Sequence, residues 1–424
     1  MGKRERMTVK ERSWVVYDAG NSAFVLVLVT ALMPIYFKQS AASSLTAADS
    51  TALWGYANGF TSLVLAIVAP FLGAMADANN WKKRFFVCFL MLGIGSTLAL
   101  AATPARFWTL LIIFFIPARL GWAGANVFYD SFLVDVTTPR RMDTISAHGY
   151  GWGYVGSVLP FLLVIWLLVS AGMQNGLNEG ATRIGFVLVV GWWLLLSVPA
   201  LRHLQQQVGD SVTKDGIGQL QRVRKTLSEM ISNRSLRFFL LAYFFYIDGV
   251  NTIITMATAY GKDLGFGVAL MIAVLLMIQL VAFPCTLLAG RLSRRYSARN
   301  LILAGVVLYG LITVMAFFLP DIESESHKRI VFWLIAGLIA AAMGGIQALS
   351  RSFFAGLTPK NKSAEYFGIF NMVGKFAAIG GPLLMAVVTQ ISGESRWGVL
   401  SLLLFFVTGG ILLSRIHRSP SQAS

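Results

Sequence analysis

Charge is scarce in this chain. Only 13% of its 424 residues are Asp, Glu, Lys or Arg, about half of the ~25% with which a soluble domain covers its surface. With 56% apolar residues beside that shortage, an ordinary water-soluble fold is excluded. Cysteine is nearly absent. Cys88 and Cys285 each sit inside an apolar run, which rules out a disulfide framework and a cysteine-based metal site. The four histidines (His148, His203, His327 and His417) are scattered near the ends of apolar runs, so no metal centre is expected. No GxxxxGK[ST] loop occurs, which removes ATP-driven pumping. Together with the missing histidine cluster, its absence disfavours a membrane enzyme. No cofactor is implied.

What the chain has is continuous apolar runs. A bilayer offers no hydrogen bonds, so a spanning segment must satisfy its own backbone as a helix or within a closed barrel. Runs that do not alternate select helices. Twelve are predicted, near 14–37, 54–76, 85–103, 107–134, 144–172, 183–201, 236–260, 266–290, 299–319, 330–353, 364–391 and 396–415. Each is about long enough to cross ~30 Å of hydrocarbon at ~1.5 Å per residue. The basic start (Lys3, Arg4, Arg6) before an apolar run resembles a signal peptide. The run is too long for one, and is read as an uncleaved first helix.

The net charge of +16 would suggest nucleic acid in a soluble protein. Here its distribution explains it, and no nucleic-acid partner is expected. Of 35 Lys and Arg, 26 fall on one set of alternate loops and seven on the other, with Arg119 and Lys375 inside spans. That asymmetry predicts both termini on the cytoplasmic side, as an even number of spans requires. Neither N-x-S/T sequon (Asn233, Asn361) falls on the predicted external side and the loops are short. Both features fit a bacterial inner membrane.

The expected organisation is a cytoplasmic N-terminus (1–13), a six-helix bundle (14–201), a cytoplasmic linker (202–235), a second six-helix bundle (236–415) and a cytoplasmic tail (416–424). Within the linker, Ile217, Leu220, Val223, Leu227 and Ile231 recur at helical spacing among Arg222, Arg224 and Lys225. This is either a helix on the membrane surface or a solvated linker helix.

The two bundles repeat each other. Asp18-Ala-Gly-Asn21-Ser22 in the first span matches Asp248-Gly-Val-Asn251-Thr252 in the seventh. Gly73-Ala-Met-Ala-Asp77 after the second span matches Gly290-Arg-Leu-Ser-Arg294 after the eighth. Asp130-Ser131-Phe132 matches Arg351-Ser352-Phe353, each followed by Thr-Pro. Six spans per half make the repeats parallel, related by an axis along the membrane normal, with a crevice expected between the halves near the midplane.

These residues resemble the major facilitator superfamily. Gly73…Asp77…Lys83-Arg84 is similar to its motif between the second and third helices, with Asn79-Asn80 where an Arg often occurs and Arg294 replacing the Asp in the second copy. Trp14-Val-Val-Tyr17-Asp18-Ala-Gly-Asn21-Ser22-Ala23-Phe24, Tyr246-Ile-Asp248-Gly249-Val-Asn251-Thr252, Gly344-Gly345-Ile-Gln347-Ala-Leu-Ser350-Arg351-Ser352 and Phe367-Gly368…Asn371-Met-Val-Gly374-Lys375-Phe376…Gly381-Pro382 resemble its Atg22-like branch, also called UMF1. The resemblance implies secondary transport, and its fungal member implies amino-acid export from a vacuole. The antiporter motif of the fifth helix is not evident: Pro160 is present but no Gly precedes it.

Ionisable groups near the bilayer centre cost about 2.5–3.5 kcal/mol each on insertion scales. Asp248, Arg119 and Lys375 fall about halfway along their spans and must face protein or water. As a pathway for solute or protons, Asp248 would accept a proton or an ammonium group, and Arg119 and Lys375 would hold a carboxylate. As structure, the three would form ion pairs between helices. Asp18 shares the depth of Asp248 by the repeat, although hydropathy puts it about one turn into its span. Asn21 and Asn251 lie three residues on, one turn away on the same face, and complete the expected pathway. Asp77 with Lys82, Lys83 and Arg84, and Asp130 with Arg140 and Arg141, form the expected cytoplasmic gate, with Arg351 as partner for a carboxylate of the opposite half; topology alone would also place such clusters there. The leading expectation is a monomeric secondary carrier of a small solute, with H+ as the coupling ion and lipid as its surroundings. A non-transporting receptor or scaffold on the same fold is the alternative.

Overall fold

The computed structural model describes residues 6–41, 44–172, 177–207 and 219–416, which are almost entirely helical. Lys3, Arg4, Ile217 and His417 lie outside the described residues. Among the described residues, twelve helices are long and apolar enough to cross a membrane: α1 (Val9–Ala41), α2 (Leu53–Asn79), α3 (Lys82–Ala102), α4 (Trp108–Val136), α5 (Pro139–Ser170), α6 (Glu179–His203), α7 (Arg234–Thr255), α8 (Ala273–Leu292), α9 (Ala298–Asp321), α10 (Glu325–Gly356), α11 (Lys360–Ser392) and α12 (Ser395–Ser414). All twelve expected spans are present. Large apolar residues such as Ile67, Trp166, Leu195, Val307 and Ile391 are exposed on their outer faces, as a protein dissolved in lipid requires.

The first helix starts earlier than its apolar run. Thr8 and Glu11 form a capping box, in which Thr8 Oγ1 accepts the Glu11 N–H and Glu11 Oε2 accepts the Thr8 N–H. Asp18 is thereby nine residues into a continuous helix, roughly 14 Å from its start at ~1.5 Å per residue. Between Phe24 and Leu32 the same helix widens to π geometry, a form that costs hydrogen-bond quality and concentrates at functional sites. Asn80, at φ 55°, ends α2 and permits the two-residue turn into α3. Asn tolerates this left-handed conformation better than other side chains with a Cβ.

The chain forms two compact units that interleave the sequence halves. Unit 1 contains residues 1–138, 152–219 and 359–368; unit 2 contains 139–151, 220–358 and 369–424. Thus the first turns of α5 cluster with the second half, and those of α11 with the first. Unit 1 packs around Trp14, Tyr17, Phe86 and Tyr129, with the Trp14 and Tyr129 rings stacked at 4.5 Å. In unit 2, Tyr243 and Phe354 stack on Phe370 at 4.3 and 4.4 Å.

Candidate transport site and gate

In unit 1 the polar residues of α1 and α4 converge. Asn21 Oδ1 accepts from Trp122 Nε1 (3.1 Å) and Asn126 Nδ2 (3.4 Å), and Asn21 Nδ2 donates to Asp18 Oδ1 (3.3 Å). Asp18 and Asn21 are buried at 7% and 3% exposure. Arg119, Trp122 and Asn126 lie at i, i+3 and i+7 on α4, so they share one helix face. The Arg119 side chain is half-buried and makes no hydrogen bond or ion pair among the described residues. A cation deep in a span with no protein partner needs water or a bound anion beside it.

In unit 2, Asp248 is fully buried on α7. Its Oδ2 accepts the Gly381 N–H of α11 (2.8 Å) and its Oδ1 accepts from Thr252 Oγ1 (3.4 Å). The contact exists because residues 380 and 381 have no side chain. A Cβ on Gly380 would lie 2.7 Å from Asp248 Oδ2, and one on Gly381 would meet Asp248 Oδ1 at 2.7 Å and also Thr252 Oγ1. Pro382 follows, and proline removes a hydrogen bond from the helical ladder. Asn251 and Lys375 are half-buried, the first about one turn beyond Asp248 on α7.

The end of unit 1 beside the α2–α3 turn is densely polar. Asp77, 3% exposed, accepts the Glu365 N–H in the first turn of α11 through Oδ2 (2.8 Å). A carboxylate there satisfies an orphan donor and opposes the positive end of the helix dipole. Gly73 permits the approach, since a Cβ on it would run into the backbone of Ala364. Lys82, fully buried, pairs with Asp135 Oδ2 (2.6 Å) and donates to Ser363 Oγ (2.7 Å). The start of the linker closes over the pair: Asp135 Oδ1 and carbonyl oxygen accept from the Gln207 amide N–H (3.2 Å) and Nε2 (2.9 Å). Nearby, Thr137 Oγ1 donates to the buried Glu11 Oε1 (2.7 Å).

Unit 2 repeats this arrangement with different chemistry. Gly290 stands where Gly73 does, and a Cβ on it would run into Ala147 Cβ of α5. Arg351, 3% exposed, donates to Ser146 Oγ and to its carbonyl oxygen, both at 3.0 Å, and lies 4.2 Å from the Tyr150 ring centroid. Ser352 Oγ donates to Asp143 Oδ1 (2.6 Å), and Ser146 Oγ to the Ala348 carbonyl (2.7 Å). Each set of contacts joins an end of α5 or α11 to helices of the other sequence half.

The structure therefore brings Asp77 and Arg351 into such contacts. Of the basic run, Lys82 turns inward, Lys83 is half-buried and Arg84 is exposed, 5.6 Å from the Trp81 ring. Asp130 is half-buried near the end of α4. Sequence reasoning grouped Lys82 with Asp77, Lys83 and Arg84 but missed Asp135, Gln207, Trp122 and Asn126. A signal for the inward turn of Lys82 existed, because Phe86 and Leu90 continue its stripe at i+4 and i+8 and both are fully buried. Nothing in the sequence pairs Asp135 with the linker, because that contact is tertiary.

A family model described as "Vacuole effluxer Atg22 like" matches residues 7–423. The chain is 41% identical to the uncharacterized MFS-type transporter YxiO of Bacillus subtilis (strain 168), over 98% of this chain and 97% of that protein. It is 23% identical to Autophagy-related protein 22 of Coccidioides immitis (strain RS), over 87% of this chain and 73% of the relative. Among solved structures, the human organic anion transporter MFSD10 superposes with a TM-score of 0.71 at 16% identity, covering 96% of this chain and 98% of that one. The E. coli fucose:proton symporter FucP gives 0.72 at 14% identity, covering 97% and 98%. With twelve apolar helices, the fold of these carriers and a family match over nearly its whole length, this integral membrane protein belongs to the Atg22-like family of the major facilitator superfamily.

Proposed function

We propose that the chain is a secondary carrier that moves a small carboxylate-bearing solute across the membrane by alternating access. One observation carries the reading: Arg119, inside a span, has no protein counter-charge among the described residues. A bound carboxylate supplies that charge while the solute passes, and a guanidinium matches it bidentately. Asp18, held by Asn21 beside Trp122 and Asn126, offers a carboxylate of opposite sign on the same bundle. An amino acid or related zwitterionic metabolite satisfies both groups. Asp248 is the proposed proton-coupling group, with Asn251 and Lys375 completing the pathway. Export is the proposed direction, in keeping with the family description.

The contacts of Asp77 with the start of α11, and of Arg351 with the start of α5, form the cytoplasmic gate in this reading. Lys83, Arg84 and Asp130 are the further proposed members of that gate. Opening that end requires both sets to part, and the two glycines Gly73 and Gly290 let them re-form closely. The protein acts as a monomer in a bacterial inner membrane with both termini in the cytoplasm.

The test is transport by purified protein in proteoliposomes, loaded with labelled amino acids, amines or dicarboxylates, with and without a pH gradient. Carboxylate-bearing solutes are expected to move and simple amines are not. Arg119→Ala is expected to abolish that flux, whereas transport of a carboxylate-free solute at the same rate in both proteins would refute the reading.

A further inference from the structure

The linker between the two halves contains a helix, Gln219–Ser232, that stops one residue short of α7. Asn233 makes the corner. Its Oδ1 accepts the N–H groups of Ser235 (3.0 Å) and Leu236 (3.2 Å), capping α7, while Arg237 Nη1 donates to the Ile231 carbonyl (3.3 Å). The linker helix is thereby fixed at the level where α7 enters the apolar layer.

One of its faces packs on protein, with Thr226 and Met230 buried. A different face carries Leu220, Leu227 and Ile231 at i, i+7 and i+11, so the three lie in one stripe. Leu220 is 69% exposed and Ile231 49%. Arg224 lies in the stripe and is exposed, whereas Lys225, also exposed, is turned about 140° away from it. Arg234 and Arg237, also exposed, stand 5.9 and 5.7 Å from the Phe238 ring centroid. Leucine and isoleucine standing off the protein among these three arginines suit neither bulk water nor a packed core. They suit the bilayer interface, where apolar tips enter the acyl boundary and long cationic side chains reach phosphate groups. The apolar helix α7 also begins at Arg234, two positions after the linker helix ends, which favours lipid as the partner.

We propose that the linker helix docks through Leu220, Leu227 and Ile231 on the membrane surface, with Arg224, Arg234 and Arg237 binding anionic lipid headgroups. The docking is independent of the solute. Cations near a negatively charged leaflet attract it individually, and the attraction weakens with salt.

The experiment uses full-length protein in nanodiscs of phosphatidylcholine, with or without phosphatidylglycerol. In a Cys88→Ser, Cys285→Ser background, an environment-sensitive fluorophore is attached at Ile231→Cys, and at Gln221→Cys on an exposed face away from the stripe. With phosphatidylglycerol present, the label at 231 is expected to shift to the blue. Aqueous iodide is expected to quench it about fivefold more slowly than the label at 221, as interfacial burial implies. Arg224→Gln with Arg234→Gln, and separately high salt, should remove most of that protection. Equal quenching at the two positions would overturn the proposal. So would protection that is the same in pure phosphatidylcholine, or protection that appears only after a cytosolic protein fraction is added.

Discussion

Replacing Asp77 with Asn tests the gate with little change in shape. The wild-type carboxylate accepts the Glu365 N–H at 2.8 Å at the first turn of α11. A hydrogen bond to a charged group contributes about 1.5–3 kcal/mol, roughly twice a neutral one, so the amide forfeits about 1 kcal/mol. Loss of the negative charge at the helix N-terminus removes about 0.3–1 kcal/mol more. The sum, about 1–2 kcal/mol, shifts a two-state equilibrium roughly 5–30-fold toward the open form. Hydrogen exchange followed by mass spectrometry reads this directly, because amides that exchange through rare opening do so in proportion to the open population. Peptides spanning 359–368 should exchange roughly 5–30-fold faster in Asp77→Asn than in wild type, while peptides in the middle of α3 should not change. In an alternating-access carrier the peptides of 139–151, held by Arg351 and Ser352, should accelerate with them. Unchanged exchange at 359–368 would refute the assignment of Asp77 to the gate. Acceleration confined to 359–368 would refute the coupling of the two segments.

Lys82→Met leaves Asp135 buried at 0% side-chain exposure without its counter-ion and should destabilise the protein by about 3–5 kcal/mol. Lys82→Met with Asp135→Leu should recover most of that loss in thermal unfolding, and a double variant no better than the single one would contradict the pairing. Asp248→Asn should insert and fold normally yet lose coupled transport, since the amide oxygen still accepts from Gly381; proteoliposome flux at the wild-type rate would remove Asp248 from the mechanism. Gly381→Ala forces a Cβ to within 2.7 Å of Asp248 Oδ1 and should cost about 1–3 kcal/mol by overpacking. Gly337→Ala, where nothing lies within 4 Å, should be neutral or stabilise by about 0.5–1 kcal/mol, a contrast measurable as opposite shifts in unfolding temperature.

The twelve helices, the duplication and the charge asymmetry of the loops are local or additive properties of the chain. Lipid as solvent translates apolar run length into helices almost without reference to neighbours. Mid-span charges such as Asp248 and Arg119 are legible for the same reason, because each is an anomaly in its own segment. Their surroundings are not legible. That Asp248 meets a backbone N–H opposite Gly380 and Gly381, and that Arg119 meets no partner among the described residues, depends on how helix faces are rotated and how closely they approach. The basic run after α2 shows the division within three residues. Composition marks Lys82, Lys83 and Arg84 as one cluster, yet the phase of α3 turns only Lys82 toward Asp135 and Ser363 and leaves Arg84 outside. The interleaving of 139–151 and 359–368 was decided by tertiary packing alone. It rests on contacts between residues more than 130 positions apart, such as Asp77 with Glu365 and Ser146 with Arg351, and no local pattern encodes which distant surface a helix end will meet.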